Sequence, residues 1–243
     1  MHLDRRLFTG MAMVCWVALS GAAANVAATP VSKTDRDLLL AVSQGQVAYA
    51  EKLMKAGANV NTVHPPLRLT PLLAASELNF DMVKLLVARG ADVNVHDRDG
   101  LTSLMRAITL RDLRMVTLLI DAGAQINATD LRGHTALTHA VLRSDAGILK
   151  LLIARGAETD VTSAMGTTTW SIAQNMRQAA LIMLERPHVP HVHGAGQAGH
   201  AMRSKAESLT QTQAVLDVLV AAGVKQRPQQ SVAFDAMQQH QHQ

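Results

Sequence analysis

Gly57, Gly90, Gly123 and Gly156 stand 33 residues apart, and two further sets keep the same step: Ala41, Ala74, Ala107, Ala140 and Ala173, and Leu53, Leu86, Leu119 and Leu152. Interleaved sets sharing one period mark a chain built from one supersecondary unit used repeatedly, each copy burying its apolar side only against its neighbours. Composition fixes the class of unit. Aromatic residues are 2% of the 243 and hydrophobic residues 48%, carried by Ala, Leu, Val and Met. Such a chain favours helices with close small-residue packing over a sandwich or barrel, whose strands want aromatic and β-branched side chains. The charge balance, 23 Lys+Arg against 19 Asp+Glu, is too thin and too scattered for a nucleic-acid-binding face.

Within the unit, local chemistry reads as two helices. Thr70, Thr102 and Thr135 stand where a first helix begins, so their hydroxyls can accept from orphan amides there, and Pro71 suits the first helical position. The recurring alanine lets two helices approach closely. The Leu-Leu pair of each second helix fills the space between layers, at about 1.5–3 kcal/mol per buried side chain. Gly90, Gly123 and Gly156 follow the second helix at a left-handed C′ position.

These units resemble ankyrin repeats. The resemblance rests on Thr70-Pro71-Leu72 with Ala74-Ala75 and the run Val83 to Asn94, on Thr102-Ser103-Leu104 with Leu118 to Ala124, and on Gly133 to Leu137 with Leu151 to Ala157. It covers about residues 34–186 and implies an all-α solenoid of about five to six helix-turn-helix repeats with finger loops. Repeat one, about 34–63, places Lys52 where its neighbours carry Leu85, Leu118 and Leu151, the polar outer face of a terminal cap. Repeat two is one residue shorter at its first helix, offset by one extra residue in the finger containing His64-Pro65-Pro66. Repeat five begins at Gly166-Thr167-Thr168 and is expected to place its second helix at about 178–186. Residues 187–205 read as a His/Gly-rich insertion loop. Residues 206–224, apolar at Val215, Leu216, Leu219 and Val220, read either as a degenerate sixth repeat or as a C-terminal capping helix. Residues 225–243 read as a flexible polar tail.

Residues 1–28 have the organisation of a signal peptide: a basic start, an apolar run from about Met11 to Leu19, then small residues with cleavage after Ala24 or Ala28. Arg5-Arg6-Leu7-Phe8 resembles a twin-arginine signal. Cleavage removes Cys15, so the mature chain is expected to be a thiol-free periplasmic or secreted protein with no membrane span.

The resemblance also implies where a protein partner sits. The matching finger positions are Arg98, Asp99, Leu101, Leu131, Arg132, His134 and Met165, and the helix positions are Thr109, Leu110, Leu142 and Arg143. Leu101, Leu110, Leu131 and Leu142 are expected to be apolar and exposed, and Arg98, Arg132 and Arg143 to favour a partner with acidic features. The expectation is a monomeric, non-enzymatic binding module without cofactor. Its partner is another protein, and the resemblance to exported bacterial ankyrin proteins points to an oxidative-stress or haem enzyme. An alternative is a metal- or haem-handling protein using His188, His191, His193 and His200, a weak divalent-metal set completed by no carboxylate or cysteine. No G-x-S-x-G, H-E-x-x-H or P-loop motif occurs. His134 and His139, with Asp130 and Asp145 nearby, read as ordinary solvated polar side chains rather than an acid–base pair.

Overall fold

A computed structural model describes residues 32–65, 67–185 and 195–224, with backbone alone for 185 and 195–205. Among them are ten helices and no strand. They are α1 (Lys33–Ser43), α2 (Val47–Lys55), α3 (Pro71–Ala75), α4 (Phe80–Ala88), α5 (Ser103–Thr109), α6 (Leu113–Asp121), α7 (Ala136–Leu142), α8 (Ala146–Ala154), α9 (Thr169–Glu185) and α10 (Ala195–Ala221). The odd-numbered helices stack in one layer and the even-numbered in a second, and packing runs within a helix pair or to the next pair. The core is one continuous seam between the layers, from Leu38 through Leu86, Leu119 and Leu152 to Leu219, all five fully or nearly fully buried.

Each repeat is closed by its own local chemistry. Thr70, Thr102 and Thr135 hydroxyls accept from the amides of Leu73, Met105 and Thr138 at 3.3, 3.3 and 3.4 Å. Thr168 does the same for Ser171, whose hydroxyl accepts from the Thr168 amide and donates to the Thr168 carbonyl, a reciprocal cap. Second helices start differently. Asn79, Asp112 and Asp145, again 33 apart, each accept from two amides of the following turn. At the far end Gly90 donates to Val87 and Ala91 to Leu86, the paired bonds of a Schellman stop. The same pair recurs at Gly123, Gly156 and Gly223. Asn94 clamps neighbouring repeats, accepting from the Gln125 amide and donating to the Gly123 carbonyl, as Asn61 and Asn127 do one repeat away on either side.

The register needs correction in three places. In repeat two the residue equivalent to Ala107 and Ala140 is the fully buried Ala75, not Ala74, because both follow the capping threonine by five. The missing residue lies at the helix–helix corner, where Gly45, Arg111 and Ser144 have φ of 69°, 60° and 52° and repeat two has no left-handed residue. In repeat five no separate helix forms at 178–186: α9 runs unbroken through Glu185. The stretch Thr169–Glu185 contains no Gly or Pro, and Gln178 stands where Asp112 and Asp145 cap, so nothing turns the chain.

The second-helix place of repeat five is taken by α10. It packs on α9 within the pair and on α8 of the preceding one. Val215, Leu216, Leu219 and Gly223 repeat Ile148, Leu149, Leu152 and Gly156 after 67 residues instead of 33, so 34 residues are inserted inside the fifth repeat. The stretch 187–205 is not loop throughout, since residues 195–205 are helical; Ala, Gln, Met, Arg and Lys there are good helix formers that outweigh two glycines.

Candidate functional site

Backbone bonds join the third, fourth and fifth fingers tip to tip and tie the third to Leu67 of the second. The Arg98 amide donates to the Leu67 carbonyl (3.3 Å), Leu131 to Asp99 (3.1 Å) and Ala164 to Arg132 (3.0 Å). Each tip is folded by one side chain at its base. Asp97 Oδ1 accepts from the amides of Asp99 and Leu101, Asp130 Oδ1 from Arg132 and His134, and Ser163 Oγ from Met165 and Thr167. Gly133, at φ 76°, permits the close stack: a Cβ there would lie 2.7 Å from the Ala164 amide nitrogen.

This row carries most of the residues expected at a partner surface. Leu131 is 74% exposed and Met165 84%, on adjacent fingers, while Leu110 and Leu142 are about half as exposed on the helices behind. Arg98, Asp99, Arg132, Arg143 and Thr109 are exposed as well; Arg98 and Asp99 lie side by side at 3.9 Å, and the Thr109 hydroxyl donates to its own helix. Two positions differ. Leu101 is half-buried under its finger, and His134 turns inward, because both follow the buried finger carboxylate by four residues and are folded back over it.

Behind the fourth finger lies a polar cluster. Asp130 is buried, with His139 Nε2 3.1 Å and His134 Nδ1 3.7 Å from its Oδ2, and the two imidazoles meet edge to face with centroids 6.1 Å apart. One repeat earlier the same register holds Asp97, Leu101 and Arg106. Arg106 Nη2 reaches Asp97 Oδ2, and its Nη1 pairs with Glu77. His134, His139 and Asp130 are therefore not the ordinary solvated side chains expected, since the carboxylate is buried and both rings face it. Asp145 is not part of the cluster; it caps α8 and pairs with Arg111 at 3.1 Å. Burial pushes the His139 imidazole below its ordinary pKa more strongly than Asp130 pulls it up, so the ring is neutral at pH 7 and the contact is a hydrogen bond rather than an ion pair. The 33-residue step that aligns Arg106 with His139 was the available signal.

His188, His191 and His193 lie outside the described residues. His200 falls on α10, but its side chain is outside them too.

Paired helices translated along one seam, with bonded fingers raising a row of side chains on one edge, define a helical repeat scaffold. Residues 38–130 match the family model described as ankyrin repeats, in three copies, and the chain is an ankyrin-repeat protein. Ankyrin arrays are protein-interaction scaffolds, so a protein partner follows from the family. No curated protein matches the chain. No described helix is long and apolar enough to cross a membrane.

Proposed function

We propose that the protein is an exported, non-enzymatic scaffold that grips another protein along its third to fifth fingers. The observation that carries this reading is the pair Leu131 and Met165, large apolar side chains raised to 74% and 84% exposure on adjacent, backbone-linked tips. A lone exposed apolar residue is ordinary, whereas two on rigid neighbouring tips, backed by Leu110 and Leu142, make a patch suited to partner contact. Arg98, Arg132 and Arg143 on the same side favour a partner whose contact face is acidic. Export rests on the signal-like residues 1–28, and an oxidative-stress or haem enzyme of the same compartment is the first partner to try.

Crosslinking in the native extracytoplasmic fraction tests the surface. The Leu131→Glu/Met165→Glu variant is expected to keep the wild-type circular dichroism yet lose the main crosslinked species. An unchanged crosslinking pattern removes the fingers from the interface. Cell fractionation tests export separately, with retention of the full-length chain in the cytoplasm as the adverse result.

A further inference from the structure

We propose that Asp130, His134 and His139 form a binding site for one divalent first-row transition-metal ion, with zinc the reference case. The proposal stands apart from the partner surface and from the histidines at 188–200. Three side chains of the types that bind such ions converge here, one ligand atom from each, and all three atoms lie within 4.8 Å of one another. Ligand atoms about 2.0–2.1 Å from a tetrahedral ion sit roughly 3.3 Å apart. The carboxylate oxygen already stands 3.1 and 3.7 Å from the two ring nitrogens, so only the rings need close on each other.

The cluster is anchored rather than chance proximity on a surface. Asp130 Oδ1 is committed to the Arg132 and His134 amides at 2.9 and 2.8 Å, which fixes the carboxylate and leaves Oδ2 as a monodentate ligand. His139 is carried by α7, whose packing against α5 and α9 sets its place, and His134 is held by the hydrogen bond its backbone amide donates to Asp130 Oδ1. All three side chains are at most 18% exposed, yet neither imidazole is sealed from solvent, so an ion has a way in and a water can complete the coordination. Two imidazoles and one carboxylate with open positions suit zinc and its divalent neighbours rather than magnesium or calcium, which prefer all-oxygen sets.

Repeat three shows what the same place looks like when it is purely structural. There Arg106 supplies a fixed cation to Asp97, and the half-buried Leu101 donates its amide to it. In repeat four both residues are histidine, and among the described residues no arginine or lysine pairs with the buried carboxylate. With histidines in place of the arginine, Asp130 lacks the fixed cation that Asp97 has, and a divalent ion would supply one.

That comparison supplies a variant built to fold. His134→Leu/His139→Arg converts the site to the residues of repeat three. The full chain, stripped by chelator, is titrated with Zn2+ by calorimetry and with Co2+ by visible absorption, and its melting temperature is followed with and without Zn2+. The expected result is one equivalent fewer for the double variant than for wild type, with loss of the cobalt d–d bands belonging to it and of the zinc-induced rise in melting temperature. A His188→Ala/His191→Ala/His193→Ala chain is expected to retain that equivalent. Equal stoichiometry and affinity in wild type and the double variant, no binding to wild type, or loss of the equivalent in the triple-alanine chain each overturns the proposal.

Discussion

Single side chains carry much of what distinguishes one repeat from another. Ser144 turns the corner into α8 at φ 52°, a left-handed conformation that costs a β-carbon about 1 kcal/mol. Ser144→Gly should therefore raise the urea-unfolding free energy by a few tenths to about 1 kcal/mol, since relief of strain is partly offset by the freedom glycine regains when unfolded. Asn94→Ala removes one bond to each of two backbone groups of the next repeat and should cost about 1–2 kcal/mol in the same assay. Neither feature was read from the sequence: Ser and Arg are not the residues expected in a left-handed corner, and a finger asparagine looks like any loop residue until its partner 29–31 residues away is beside it.

His139 gives a pH prediction at the same scale. Its folded pKa lies below the ordinary 6.5, so on acidification the unfolded chain takes up the proton first. The stability tied to the neutral ring is full above about pH 6.5 and declines as pH falls through the window beneath it. Metal-free wild type should thus lose more stability between pH 7 and 5.5 than His139→Gln. Parallel stability curves would show that the ring's burial carries no such linkage.

At the scale of helices, the capping threonines, the buried second leucine of each Leu-Leu pair and the glycine stops were legible because each acts within one or two turns of its own helix, whereas Leu85, Leu118 and Leu151 are only half-buried. Repeat five was not, because the difference between one long helix and a helix pair turns on a residue that is absent: an Asn or Asp cap at 178. The docking of α10 on α8 and α9 gives this region its test. Leu219 is fully buried there, and Leu219→Asp should release α10. Amide exchange in α8 and α9 is then expected to rise by an order of magnitude or more, while α1 to α4 stay protected, because packing couples each pair only to its neighbours. Uniform deprotection of the whole array would contradict that picture.

Across the whole molecule, stability is a sum along a line, and the fingers are a second seam beside the helical one. Gly133→Ala places a Cβ against the backbone of the fifth finger in a conformation with φ 76°. It should cost about 1–3 kcal/mol and split a single unfolding transition into two, seen by calorimetry, because it cuts the joint between repeats four and five. The proposed partner surface depends on that joint, since Leu131 and Met165 stand on the two tips that it bonds.

The amino-acid order alone determined the period, the two-helix unit, its start and stop signals and the family, because every one of these is a short-range preference repeated in register. Packing decided the rest. An apolar stripe at 215–219 states that something covers it but not which helix does, and residues four and nine positions from Asp130 converge on one oxygen only after the finger folds back over α7.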